Sequence, residues 1–404
     1  MWQHFAMKRG AVVIALLVVA SILGPGVDAV GAAAGQGVGP PEAGNWKAVS
    51  AGAEHTCGLR GDGTLWCWGD DAFGQLGNGG GNADAGVPVQ VAGGRTDWVA
   101  VTAGGYFTCA RRASGRLYCW GADTFGAIGN GAPNTDVGSP VEVAGGRTDW
   151  RQVSAGWYHV CARRSTGRLF CWGHDGTAAL GNGPGSGNSS SPVEVAGART
   201  DWSTVSAGFS STCALRTSRR LFCFGSDQYG QLGRGAGFQV GQTPAEVAGA
   251  RTDWAAVVVG VDHACARRTT GNLFCWGRNT VGEIGNGATG ANVESPAQVT
   301  GNRTDWRQFA LADRTTCARR SDGHLFCWGF DNTGQLGNGE PKSDSAVPVE
   351  VSGGASDWRA VDGGLLHVCA RRGADQLFCW GFDSEGQLGD GGADSSRSSP
   401  VQVA

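Results

Sequence analysis

Apolar residues along this chain come in short alternating runs and never form a helix-length stripe. Residues 46–51 alternate apolar and polar positions and stop at Gly52. Residues 55–60 form a second run, and residues 65–68 a third, ended by Gly69. Residues 88–91 form a fourth, with Pro88 at its head. Alternation over four to six residues between Gly, Asp and Asn punctuation predicts strands, and nothing shows the 3.6-residue period of a helix. The third run is apolar on both faces, Leu65 and Cys67 on one and Trp66 and Trp68 on the other. A strand covered by neighbours on both sides needs that pattern.

The four runs recur every 52 residues. Cysteines come in pairs ten apart: Cys57 with Cys67, Cys109 with Cys119, Cys161 with Cys171, Cys213 with Cys223, Cys265 with Cys275, Cys317 with Cys327, and Cys369 with Cys379. Trp46, Trp98, Trp150, Trp202, Trp254, Trp306 and Trp358 keep the same step, and seven copies cover residues 41–404 without insertion. A fixed period of this length means a solenoid or a propeller. Four short strands per copy predict an all-β chain, a seven-bladed β-propeller of four-stranded antiparallel blades over residues 45–404.

The ten-residue spacing of each Cys pair centres a hairpin on residue 62 and sets Cys57 opposite Cys67, about 4.5–5.5 Å apart at Cα. That separation suits a disulfide; the alternative is a pair of buried thiols. Gly63 is free to take the left-handed turn position, whereas Arg219 and Asp375 stand there in two repeats. Zinc usually takes closer Cys pairs, so no metal is expected. Residues 1–29 read as a signal peptide. Lys8 and Arg9 precede an apolar segment, and Val27, Asp28 and Ala29 form a small-residue cleavage site. Residues 30–44 read as a flexible leader. An exported chain favours the disulfide, and no membrane span is expected after cleavage.

Composition narrows the function. Gly makes 71 of 404 residues and the formal net charge is −3. A turn-rich chain without a basic surplus has no electrostatic drive toward nucleic acid, and no nucleic-acid partner is expected.

Residues 55–57, 65–69 and Gly74-Gln75-Leu76-Gly77 together resemble the regulator of chromosome condensation repeat. The last string recurs at residues 230–233, 334–337 and 386–389. The resemblance implies a seven-bladed propeller. It also admits two functions: secreted binding proteins, and exchange factors that act on a small GTPase. An exchange factor is expected to carry a wedge-like insertion, which the even period does not show.

No catalytic constellation emerges. His55, His159, His263 and His367 share one repeat position, which reads as structural. Asp71, Asp123, Asp175, Asp227, Asp331 and Asp383 follow the third run and read as turn caps. The series from Arg60 and Arg112 to Arg372 reads as surface ion pairs with Asp97 and its equivalents rather than an anion-binding ring. Residues 285–290 match G-x-G-x-x-G but lie in a loop, not between a strand and a helix. No enzyme activity and no cofactor are expected.

Alternate connections of an up-and-down blade lie at one end. The first-to-second and third-to-fourth loops therefore share a face. Both sets vary, while the link 92–97 between repeats hardly changes. Variable loops on a constant scaffold mark a binding face. Aromatic residues cluster there in repeats two to four, so Tyr106, Phe107, Trp157, Tyr158 and Phe209 are the candidate partner site. The reading is a secreted or periplasmic, monomeric binding module for a protein or glycan, with GTPase regulation as the alternative.

Overall fold

The computed structural model describes residues 44–404 apart from 133, 236, 238, 239, 340, 393 and 394. The expected signal peptide and residues 30–43 of the leader lie outside the described residues. Blade 1 consists of β1 (Trp46–Ala51), β2 (His55–Arg60), β3 (Leu65–Gly69) and β4 (Ala85–Gln90), antiparallel and in sequence order. Six more blades repeat this arrangement, the last from Trp358–Gly363 to Arg397–Gln402, and one 3-10 turn at Thr124–Gly126 is the only helical element among the described residues. The fold is the predicted all-β seven-bladed propeller.

Every blade is built from one continuous segment, so the ring closes through side-chain packing and loop hydrogen bonds rather than a shared sheet. Trp46, Trp66 and Trp68 of blade 1 share a buried cluster with Cys369, Leu377 and Cys379 of blade 7. The outer strand begins earlier than its sequence suggests. Pro88 lies inside β4, not at its head, and the register against β3 slips between Cys67 and Gly69. An edge strand tolerates the missing N–H of proline.

All seven cysteine pairs are disulfides, so the alternative of paired thiols falls. The bridges join Cys57 to Cys67, Cys109 to Cys119, Cys161 to Cys171 and Cys213 to Cys223. The remaining three join Cys265 to Cys275, Cys317 to Cys327 and Cys369 to Cys379. Their Cα separations of 4.0–4.1 Å are tighter than the expected range, and no described cysteine is free. The two residues of each bridge stand directly opposite in the register of their blade.

The turn beneath has the anticipated form. The Arg60 N–H donates to the Thr64 carbonyl at 2.9 Å, and Gly63 takes φ 81°. Arg219 and Asp375 adopt the same left-handed conformation at φ 61° and 64°, which costs about 1 kcal/mol or more for a side chain of this kind.

Three recurring sets of side-chain hydrogen bonds join neighbouring blades. The Trp120 indole N–H donates to the Gln75 carbonyl of the preceding blade at 3.0 Å. A methyl on Gly77, which also has φ 67°, would overlap that indole. Near the axis, hydroxyls on the innermost strands accept backbone N–H groups from the next blade, as Ser50 does from Ala103 and Thr102 from Ala155, both at 3.0 Å. Asp362 closes this girdle by accepting the Ala51 N–H at 3.0 Å.

The third set explains the histidines. His55, His159, His263 and His367 are buried, and each Nε2 lies 2.8–2.9 Å from a threonine hydroxyl of the next blade: Thr108, Thr212, Thr316 and Thr56. Each hydroxyl donates to a backbone carbonyl at 2.9 Å. It therefore accepts from Nε2–H, which fixes the tautomer. The pattern alternates, His in blades 1, 3, 5 and 7. Because seven is odd, blade 1 carries both partners side by side, His55 and Thr56. Phe107 takes the His position in blade 2 and packs with Val160 instead.

Burial holds the imidazoles down, His55 and His159 at about 3 and His263 and His367 at about 4. An unfolded histidine takes its proton near pH 6.5. Each folded imidazole therefore withholds stability progressively as pH falls from 6.5 toward 3–4. Buried Asp70, raised to about 7, and Asp362, raised to about 6, titrate in the opposite sense, so the total can be flat while a difference is not. Replacing His159→Phe with Thr212→Val copies the blade 2–3 contact. Chemical denaturation at pH 7.5 and 4.5 should show the wild type losing about 2–3 kcal/mol more than this variant. Removing one bridge by Cys213→Ala with Cys223→Ala should lower stability by about 2–3 kcal/mol at most. The ring should stay folded, because neighbouring blades still hold that hairpin.

Candidate binding face

The two variable loop sets do share one face. The first residue after each third strand donates its N–H to the first-to-second loop of its own blade: Asp70 to Glu54, Ala122 to Tyr106 and His174 to Tyr158, at 2.8–2.9 Å. At the other end, the constant link meets the hairpin turn, with Trp98 donating to the Gly63 carbonyl at 3.1 Å.

Four of the five predicted aromatic residues come together on the variable face. Tyr106 lies 6.0 Å from Trp157, and Trp157 lies 5.0 Å from Phe209 and 6.2 Å from Tyr158, centroid to centroid. All four are half-buried. Phe107 does not join them. It is 2% exposed in the core between blades 2 and 3, because it occupies the inward-facing position of the histidine series.

The third-to-fourth loops extend the cluster into an arc. Phe73 contacts Tyr106 at 5.5 Å, while Phe125 contacts Tyr158 at 5.8 Å and His174 at 4.6 Å. Phe125 sits at φ 65°, a conformation that a bulky side chain rarely takes and that marks local strain. Burial raises the Tyr158 hydroxyl above its ordinary value and lowers His174 below its own; His174 is therefore a neutral, aromatic member of the arc at physiological pH.

Inside the arc the inner strands end around an open depression of about 420 Å³ on the propeller axis. Ala and Gly from all seven blades form most of its wall, with Trp157, Phe209, Val259, Val261, Leu311 and Leu365 larger than the rest. Small residues are required because the turns hydrogen-bond around the ring, as when Trp157 donates to Gly208 at 3.0 Å and Phe209 to Gly260 at 3.1 Å.

Blades 5 and 6 carry charge where blades 2 to 4 carry rings. Asp262 pairs with Arg278 at 3.0 Å, and Arg314 pairs at 3.3 Å with Glu283, which replaces the usual Gln. Burial, then the charge of Asp262, pushes Asp313 up to about 6. The face thus has an aromatic sector and an ionic sector on either side of the axis.

Comparison with known proteins agrees with the repeat. The RCC1-like domain pattern matches residues 138–404, and the regulator of chromosome condensation (RCC1) repeat matches 46–75, 98–127 and 62–111. This chain belongs to the RCC1 repeat family. Its relatives include the ultraviolet-B receptor UVR8 of Arabidopsis thaliana, 29% identical over 85% of this chain and 78% of the receptor. The secretion-regulating guanine nucleotide exchange factor of Mus musculus is 26% identical over 69% of this chain and 62% of that protein. Among solved structures, human WBSCR16 superposes with TM-score 0.75 at 20% identity, covering 84% of this chain and 94% of that one. Yeast RCC1 (Prp20) bound to Kap60 gives 0.75 at 19%, covering 89% and 85%.

The other residue series of this RCC1 propeller are structural. Asp71 caps its turn by accepting the Leu76 N–H at 2.9 Å, and Asp123 and Asp331 do the same for Ile128 and Leu336. Arg112 pairs with Asp97 at 2.8 Å and Arg164 with Asp149 at 2.8 Å. Arg60, whose repeat has no such aspartate, donates to the Gly44 carbonyl at 2.9 Å and lies over Trp46. No group of three or more His, Cys, Asp or Glu side chains among the described residues is placed to hold a metal.

Sequence reasoning missed Phe73, Phe125 and His174. Phe73 and Phe125 share a repeat position with Tyr229, which is a readable signal. That they reach the first-to-second loops of the next blade is visible only in the fold.

Proposed function

We propose that this chain is an extracytoplasmic, non-enzymatic binding module that holds a protein partner on the aromatic sector of its variable face. The observation that carries this reading is the unbroken arc from Phe73 through Tyr106, Trp157 and Phe209 to Tyr158 and Phe125. It is supplied by loops of adjacent blades and sits beside an axial depression. Half-buried Trp and Tyr are the side chains most enriched at interface hot spots, and a contiguous apolar patch of this kind marks an interaction site. Phe107 is left out of the site because it presents no surface.

Seven disulfides support an oxidising compartment, and no helix among the described residues is long and apolar enough to cross a membrane. The finer assignment is export to the periplasm or the exterior after removal of residues 1–29, with the module acting as a monomer. A role as a guanine nucleotide exchange factor is the alternative, supported by the mouse relative's name; against it, every repeat here has the same 52-residue length.

Two measurements test the reading. The N-terminal residue of the mature protein should be Val30, recovered outside the cytoplasm; a cytoplasmic, unprocessed chain contradicts export. Trp157→Ala with Tyr158→Ala should weaken binding of the partner captured by the wild type by about 2 kcal/mol or more, with all seven disulfides and the β spectrum retained. Unchanged affinity would move the site off the aromatic arc. A captured oligosaccharide in place of a protein would overturn the choice of partner.

A further inference from the structure

The third-to-fourth loops contain five copies of the dipeptide Asn-Gly, beginning at Asn78, Asn130, Asn182, Asn286 and Asn338 in blades 1, 2, 3, 5 and 6. An asparagine amide followed by glycine is open to attack by its own main chain, because the next backbone nitrogen is not shielded by a side chain on its residue. The fold restrains most of these copies in two ways. The glycine N–H donates across the blade boundary, Gly79 to the Gly138 carbonyl at 2.9 Å, Gly131 to Ser190 at 2.8 Å, Gly287 to Ala346 at 3.0 Å and Gly339 to Ser398 at 2.8 Å. The asparagine amide is tied as well. Its Oδ1 accepts the N–H two residues on, from Gly80 at 2.8 Å, Ala132 at 2.9 Å and Ala288 at 3.0 Å. A local turn of this kind holds the side-chain amide in place.

Asn182 lacks one of these restraints and is held loosely by the other. Residue 184 is proline, which has no N–H to offer. The Asn182 Oδ1 is buried without a hydrogen-bond partner. The Gly183 N–H reaches the Gln242 carbonyl at 3.2 Å, the longest of the five bonds. Its φ of 115° departs from the 73–85° of the other four glycines. Nothing lies within 4 Å of the point where a Cβ would stand on Gly183, whereas each of the other four has a neighbour there. The amide is thus untethered, and the glycine beside it has room to move.

We propose that Asn182 is a site of spontaneous deamidation, converting to aspartate and isoaspartate through a cyclic imide well ahead of the other four copies. The Gly183 nitrogen gives up its proton to solvent base and bonds to Asn182 Cγ. The bond from Cγ to the side-chain nitrogen breaks, and ammonia leaves. Water then adds to either carbonyl of the imide and reopens the ring, so nothing is oxidised or reduced. The product carries a carboxylate in place of a neutral amide. On the isoaspartate branch the main chain runs through Cβ and lengthens, which displaces the Gly183 N–H from Gln242 in the next blade. The loop concerned is tied to the neighbourhood of the aromatic arc. The Ser186 hydroxyl lies 2.7 Å from the Gly183 carbonyl and 2.6 Å from Asp175 Oδ2, and Asp175 follows His174. The conversion therefore adds negative charge to the variable face as the protein ages. It holds whether or not the arc binds a protein.

The test incubates the full mature chain, folded, in mildly alkaline buffer and follows each asparagine by peptide mass mapping, with isoaspartate detection on the peptide that contains Asn182. Asn182 should convert about fivefold or more faster than Asn78, Asn130, Asn286 and Asn338, the effect of releasing one hydrogen bond. In denaturant the five rates should converge. Pro184→Ala, at an exposed position, restores an N–H and should slow Asn182 to the rate of the others. Ala132→Pro, exposed in blade 2, removes the bond from Ala132 to Asn130 and should speed Asn130 by a similar factor. Both variants should keep the β spectrum. Equal rates in the folded chain, an unchanged rate in Pro184→Ala, or the same lead for Asn182 in denaturant would overturn the proposal.

Discussion

The third-strand tryptophan seated in the loop of the preceding blade sets the spacing of the whole ring. Gln75, Gln387 and Glu283 each offer one carbonyl that accepts two donors from the next blade, an indole N–H and a threonine hydroxyl. The adjoining glycine leaves room for the indole, and no other residue fits there. Two buried N–H and O–H groups are thereby satisfied at a point where water is excluded, and an unpaired donor would cost about 1–3 kcal/mol. The same joint is made by the last blade onto the first, so the ring closes without exchanging a strand. Blade 4 carries Phe224 in place of the tryptophan and retains only the hydroxyl half of the joint, from Thr212 to Ala179.

Inside each blade the disulfide ties the two central strands where both faces are covered. Its covalent bond does not link blades, because both sulfurs belong to one hairpin, although each cystine also packs in the cluster shared with the next blade. Cohesion between blades comes from the indole joint, the His–Thr contacts and the girdle of hydroxyls near the axis. The girdle is interrupted in blades 5 and 6, where Val258 and Ala310 stand in place of a hydroxyl residue. The blade 5–6 joint carries instead the Arg314–Glu283 pair, while the Arg278–Asp262 pair lies within blade 5 beside it. Charge thus enters the variable face in the sector that the aromatic arc leaves open.

The rigid ring gives the molecule two unlike ends. On the variable face, loops from adjacent blades converge because both loop sets emerge at one end of every blade, and small residues at the inner-strand ends keep the axis open. On the constant face, the sequence hardly changes from repeat to repeat, so any charge placed there recurs around the ring. Asp97 and its equivalents neutralise one arginine in each of blades 2 to 7. Among the described residues, only Arg371 of the neighbouring arginines has a carboxylate within ion-pair distance.

Much of this was legible in the chain. A strict 52-residue period with four alternating runs per copy, the third apolar on both faces, points to the propeller, in which neighbouring blades cover a central strand on both sides. Cysteines ten apart across a hairpin determine their own pairing, because local register depends only on the turn. The aromatic cluster was legible in outline, as rings at matching positions of successive copies. Tertiary structure decided the rest, because it depends on contacts between copies. Phe107 and Tyr106 are adjacent in sequence, yet one is core and the other surface, according to which side of the strand end meets the next blade. Phe73 and Phe125 join the arc only because their loops reach the following blade. The sequence shows two arginines side by side at the end of a second strand. Only the folded ring assigns one an aspartate and buries the Nε of the other without an acceptor, because electrostatic partners are set by distance in space.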